Sequence, residues 1–340
     1  MNQDTAKNKK KNNTNNEKMT TEKITTEKKA NRNANKDFKP PLVEAGGTDL
    51  AMEVFDGLEG AEYAEETDRG TCGGEVKVIR LHIRTHSASE RLGRPCGEYI
   101  TLQTGTFGDY GDAEIQDVAE ILSRELKRMA DGVGLDNGGV LVAGLGNREL
   151  TADAVGPLSA ARIPATRHLA GYDRQLFDSL GYREISVVAP GVTGQTGIET
   201  HEMMRSAVKS TKPVVAVVID ALAARSCDRL GCTVQISDTG ICPGSGVGNE
   251  RSGLNEETLG IPVIAIGVPT IVRSSVLVGD VLVDAGLMDT QGDIPDELSR
   301  ILEGGKNFFV SPRDCDAVVK QAAAVIAEAV TDAFMYLDTV

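Results

Sequence analysis

Val214-Val215-Ala216-Val217-Val218-Ile219-Asp220-Ala221-Leu222-Ala223-Ala224-Arg225 opens with a strand-length run of apolar, mostly β-branched residues and passes at once to a carboxylate. A run that is apolar on both sides of the pleat has no face to offer water. That is the pattern of a parallel strand covered by helices above and below. Three runs resemble it: Val140-Leu141-Val142-Ala143, residues 185–189, and Val263-Ile264-Ala265-Ile266. A helix pattern at residues 198–209 lies between two of them. Helices alternating with buried strands predict an α/β fold, a mostly parallel sheet with helices on both faces. The strand carrying Asp220 is expected to end there.

Working outward, Ile115, Val118, Ile121, Leu122, Leu126 and Met129 recur at spacings of three and four, one face of a helix opened by Asp112 as N-cap. Residues 76–82 and 99–103 read as a pair of strands. At the other end, Ser311-Pro312-Arg313-Asp314 supplies an N-cap, a Pro at the first position and an acid in the first turn of a helix. Its buried stripe is Val318, Ala322, Val325, Ala329 and Ala333. Residues 1–40 are rich in Lys and Asn and too poor in apolar residues to offset the entropy of ordering. They read as a solvated, disordered leader ending near Pro40-Pro41. With 40% apolar residues and no Trp, the remainder must build its core from aliphatic side chains.

Composition also removes function classes. No apolar run approaches the roughly 20 residues a membrane helix needs, and the N-terminal residues lack a secretory h-region. The reading is a soluble cytoplasmic protein. The six Cys form no CxxC pair and are expected as free thiols. Cys and His spacings match no common zinc pattern, so no metal and no cofactor is expected. The formal charge of −14 argues against a nucleic-acid surface on the folded part.

In α/β sheets, sites form beyond the carboxyl ends of the strands. There lie Gly144-Leu145-Gly146-Asn147, Asp153, residues 190–200, Asp220, residues 238–249 and Gly267-Val268-Pro269-Thr270. Each admits a bland reading. The glycine loops suit tight turns as well as phosphate, and Asp153 and Asp220 suit helix caps. Together, however, two strand ends offer one carboxylate each to a common crevice. Such a pair splits its pKa values, so that one group holds a proton while the other acts as base. That is what amide hydrolysis by water requires. No GxSxG elbow or HExxH helix competes, and Cys242 is a minor nucleophile candidate. A metal-dependent maturation-type peptidase, a nucleotide-binding module using Gly244-Ser245-Gly246-Val247-Gly248, and a DNA tether built on the basic arm are the alternatives.

These stretches, with Thr166-Arg167-His168-Leu169, Gln235-Ile236-Ser237-Asp238-Thr239-Gly240 and Pro262 onward, resemble the spore germination protease family. The resemblance covers roughly residues 46–275 and the last helix. It implies an aspartic-type endopeptidase with a fold similar to hydrogenase-maturation proteases, catalytic Asp153 and Asp220, and a homotetramer in the spore core (the forespore). The implied substrates are small acid-soluble spore proteins, cut after Thr-Glu and before a large apolar residue and Ala. Thr48-Asp49-Leu50-Ala51 reproduces that site with Asp for Glu. The resemblance therefore implies a zymogen that cuts itself between Asp49 and Leu50, with residues 1–49 as propeptide and 50–340 as a single peptidase domain. The bland reading of Thr48-Asp49 is a helix cap. Relatives often carry His where Cys242 stands, and residues 274–305 are shorter here.

Overall fold

The computed structural model describes residues 48–55, 60–133, 135, 138–244, 252–288, 296–304 and 308–337. Among the described residues, nine strands form one sheet: β1 (Ala61–Arg69), β2 (Glu75–Ile83), β3 (Gly97–Gln103), β4 (Val140–Gly144), β5 (Ile185–Val188), β6 (Val215–Ala224), β7 (Thr233–Ser237), β8 (Val263–Arg273) and β9 (Phe309–Val310). The order is β1-β2-β3-β7-β8-β6-β4-β5, with β9 also pairing with β8. Only β8–β6, β6–β4 and β4–β5 are parallel. The pairs β1–β2, β2–β3, β3–β7, β7–β8 and β8–β9 are antiparallel.

The expectation of a mostly parallel sheet is thus corrected: the sheet is mixed and largely antiparallel. The cause is visible in β7. All five of its residues are buried, yet it is antiparallel to both neighbours. One face of β7 meets the main core through Val234 and Ile236, and the other meets residues 49–51. Burial on two faces, the property read as parallel, records what covers a strand and not the direction of its neighbours.

The helices are α1 (His86–Leu92), α2 (Asp112–Val133), α3 (Val155–Ala160), α4 (Arg167–Tyr172), α5 (Arg174–Ser179), α6 (Thr193–Thr196), α7 (Thr200–Thr211), α8 (Glu256–Leu259), α9 (Ser274–Asp284), α10 (Asp296–Glu303) and α11 (Cys315–Phe334). The stripes read in α2 and α11 are all buried, and they pack on each other and on Val140, Val142, Val215, Val217 and Ile219. Met204 of α7 and Leu259 of α8 cover the opposite face, against Ala143, Ala216 and Val218. α11 begins three residues after Pro312, and its N-cap Asp314 makes no side-chain cap bond. Asp112 is the first helical residue of α2 rather than its cap.

Strand lengths make the crevice. β4 stops at Gly144, opposite Ile219 of β6, whereas β6 and β8 run on together to Ala224 and Val272 past a bulge at Leu222/Ala223. β5, expected to be buried on both faces, is a half-exposed edge strand. A step therefore opens above the end of β4.

Candidate active site

Asp220 does not end its strand. It sits in the middle of β6, paired in register with Gly267, at the first position beyond the reach of β4. It is only 5% exposed, and its Oδ1 accepts the N–H of Ala221 at 2.9 Å. No helix follows for it to cap, because β6 continues to Ala224. Strand alternation places it on the same face as Ala216 and Val218.

Asp153 reaches the same step from the β4 side. The chain leaves β4 through Leu145, whose N–H donates to Ile219 O at 2.8 Å, and turns at Gly146 with φ of 107°. A Cβ at Gly146 would collide with the Asp153 carbonyl, so glycine is needed for backbone angle and for space alike. A 3-10 turn, Thr151–Asp153, then carries the carboxylate. Its Oδ2 accepts the N–H of Asn147 at 2.7 Å, and it caps no helix, since the N-cap of α3 is Ala154. Asn147 Oδ1 in turn accepts from Gln195 Nε2 at 2.8 Å, tying the loops after β4 and β5 together. From below, Thr270 of β8, fully buried, donates to Ala152 O at 2.6 Å. Asp153 and Asp220 line one crevice of about 410 Å³, together with Asp49, Gly191, Leu222, Cys242, Thr270, Phe309 and Ser311.

Asp49 belongs to a segment seated along the extended part of β6. Its N–H donates to Ala223 O at 2.9 Å, while its Oδ2 accepts the N–H of Ala223 at 2.8 Å. The carbonyl of Asp49 accepts from Gln235 Nε2 at 3.1 Å, and the N–H of Ala51 donates to Gln235 Oε1 at 2.6 Å. Arg94 donates to the Thr48 carbonyl. Leu50 is completely buried against Leu222, Ala224 and Val272; burying a leucine this fully contributes roughly 1.5–3 kcal/mol. Ala51 is fully buried too, packed against Leu81, Leu92 and Tyr99. Thr48 and Asp49 do not cap the short turn Ala51–Glu53, which makes no side-chain cap bond. Instead Thr48 Oγ1 accepts from Leu50 N at 3.0 Å and donates to Glu53. Desolvation raises the pKa of Glu53, opposed by hydrogen bonds from Thr48 and Arg225.

Of the other candidates, Cys242 lies on the crevice wall, and of the Gly244-Ser245-Gly246-Val247-Gly248 motif only Gly244 is described; residues 245–251 lie outside the described residues. The Cys242 thiol meets solvent on one side, yet desolvation by the walls raises its pKa, which disfavours the nucleophilic thiolate. All six cysteines are free. No histidine is among the described residues lining the crevice, and no group of three or more His, Cys, Asp or Glu among the described residues is placed to hold a metal ion. Gln235, Arg94 and Thr270 were given no role by sequence reading. The available signal was weak: a lone amide at an alternating position between Val234 and Ile236 marks a buried polar group, but not its partner.

A family model described as germination protease matches residues 56–288. A germination protease of Clostridium acetobutylicum is 33% identical over 311 residues, covering 83% of this chain and 93% of that protein. One of Bacillus cereus is 36% identical over 337 residues, covering 82% and 91%, and one of Bacillus cytotoxicus is 35% identical over 341 residues with the same coverage. A match over most of the chain, on a sheet that brings two carboxylates and an acid–leucine junction to one crevice, has one reading: this chain belongs to the germination protease family, a family of peptide-bond hydrolases.

Proposed function

We propose that the chain is an aspartic-type endopeptidase that begins the breakdown of small acid-soluble spore proteins at germination, and that it is made as a zymogen cut between Asp49 and Leu50. The observation that carries this is the crevice itself, where Asp153, Asp220 and Asp49 share one wall system. One carboxylate of the pair draws a proton from water, whose oxygen attacks the carbonyl carbon of Asp49. The carbon–nitrogen bond to Leu50 breaks, and the proton held by the other carboxylate goes to the departing nitrogen. The products are a carboxylate at Asp49 and an amine at Leu50, so atoms and protons balance.

Residues 1–49 are then the propeptide and 50–340 the peptidase domain. The family likeness supports small acid-soluble spore proteins as substrates, the spore core as the site of action and assembly as a homotetramer. The exposed apolar side chains Leu277, Val281, Leu287, Ile301 and Phe308 support self-association. Among the described residues no helix is long and apolar enough to cross a membrane.

The test is Asp153→Asn and Asp220→Asn, each scored for leader release and for cleavage of a Thr-Glu-Leu-Ala peptide. Both activities are expected to fall by about a thousandfold or more, with Tm and oligomeric state retained. Cleavage within tenfold of wild type by either variant removes the carboxylate-pair reading.

A further inference from the structure

Gln235 occupies an unusual position for an amide. It is 8% exposed, on a strand whose five residues are all buried, and its neighbours Val234 and Ile236 turn to the main core. A buried amide must satisfy both its oxygen and its N–H₂ group. Gln235 does so on a segment 184 and 186 residues away in sequence, accepting from Ala51 N and donating to Asp49 O. These two backbone groups flank the Asp49–Leu50 peptide bond. One side chain thus holds the carbonyl of that bond and the N–H of the next peptide, where the Ala51–Glu53 turn begins.

We propose that Gln235 is a catalytic residue of the cleavage reaction, its Nε2–H₂ serving as the donor that polarises the carbonyl to be attacked and stabilises the oxyanion that forms there. The inference rests on the Asp49–Leu50 junction being the bond cut. The donor belongs to a rigid, buried strand and needs no reorganisation as charge develops on the oxygen. The acceptor half of the same amide fixes the backbone two residues later, so the bond is held in register from both sides. Ala51 sits against Leu81, Leu92 and Tyr99 with no exposed surface. The same register therefore asks a substrate for a small residue two positions after the cut, and for a large apolar one directly after it, where Leu50 fills its pocket.

Gln235→Glu separates the two halves of the amide. The substituted carboxylate still accepts from the Ala51 N–H but has no hydrogen to give the carbonyl. In the full chain, the first-order rate of leader release, followed by intact mass, is expected to fall about 100- to 1000-fold. Protection of the Ala51 amide against hydrogen exchange is expected to persist. Measured against wild type at each pH, the loss shrinks as the new carboxyl protonates and regains a donor. Gln235→Met, similar in length and without either group, loses the rate, the Ala51 protection and any pH-dependent recovery.

A purely structural amide predicts otherwise: Gln235→Glu and Gln235→Met would lose rate in proportion to Tm, with no recovery in acid, and the proposal would be overturned. It is also overturned if Gln235→Glu releases its leader within threefold of the wild-type rate. The mass of the wild-type product keeps the underlying reading separate. A cut elsewhere than between Asp49 and Leu50 removes both. A cut at that bond that needs Asp153 and Asp220 but not Gln235 removes this inference alone.

Discussion

β6 and β4, in the parallel half of the sheet, bring carboxylates to the crevice, whereas β3 and β7, in the antiparallel half, bring none among the described residues and instead hold, from its other side, the segment that lies along β6. Asp220 is a strand residue placed by its register with Gly267, and Asp153 stands beyond β4 on a 3-10 turn anchored by the Asn147 N–H and by the Thr270–Ala152 bond. Gln235 and Arg94 reach the seated segment with side chains. The crevice lies where the two halves meet, at β8, whose one edge pairs with β6 and whose other pairs with β7 and β9. The parallel half thus sets where the acids stand and supplies the β6 edge along which the segment lies, and the antiparallel half adds side-chain holds on the bond presented to them. Substitutions that displace the two acids should then abolish chemistry on any substrate, whereas loss of the Arg94 hold on the Thr48 carbonyl should act on register.

The sharpest way to break that division is Gly156→Ala in α3. A Cβ there would collide with backbone oxygens of Leu145 and Ile219, the ends of β4's exit loop and of the strand run before Asp220. Backbone has no rotamer to give, so the cost is expected at about 3 kcal/mol, the upper end for overpacking. At roughly 1.5 °C per kcal/mol for a chain of this size, Tm should fall by roughly 4–5 °C in differential scanning calorimetry. Peptide cleavage should be lost at temperatures where the protein is still folded. Retained cleavage would mean that the stand of the acids does not depend on this close contact. A milder probe of the same half is Thr270→Val. It keeps shape but leaves the Ala152 carbonyl without its buried donor, expected to cost about 1–3 kcal/mol. We expect kcat to drop by about tenfold with KM nearly unchanged, and Thr270→Ser to restore it. A change in KM alone would assign Thr270 to peptide binding instead.

The same division explains what could be read from the sequence. The apolar periodicity of α2 and α11 was legible because one face of a helix against one core leaves an unambiguous stripe. The runs of β4, β6 and β8 were legible as strands, but their direction was not, since hydropathy reports cover and not the sense of the neighbour. β6 and β8 also extend beyond the apolar runs that mark them. Asp220 interrupts an apolar run and so looks like an end, although a strand tolerates a carboxylate in its middle where the adjoining strand has stopped. β1 was not recognised because nearly all of it is exposed and acidic, held to β2 by ion pairs such as Lys77–Glu65 at 2.6 Å and Arg80–Glu66 at 2.7 Å. Asp153 and Asp220 stood out as acids after buried runs, whereas Gln235 acts on residues far away in sequence, and no local pattern encodes such a partnership.

Glu53 gives the seated segment a smaller, pH-dependent hold. Desolvation raises its pKa where the segment lies against β6. A group whose folded pKa is raised binds its proton more tightly in the native state than in the released one. Seating is therefore most favourable below the ordinary carboxylate value near 4.5, and it weakens as pH rises from there through the raised value. The segment along β6 should consequently present the Asp49–Leu50 bond best in mild acid, the condition in which a carboxylate pair also most readily holds its single proton. Hydrogen exchange at Leu50 and Ala51 across pH 4 to 7 should show protection declining with rising pH in wild type, after correction for intrinsic exchange. Glu53→Gln removes the titrating group while keeping an acceptor for Thr48 and the Arg225 N–H, and should flatten that dependence without altering cleavage of an added peptide. An unchanged slope in Glu53→Gln would show that the segment's pH response comes from the crevice acids themselves, and that presentation and chemistry are governed by the same carboxylates.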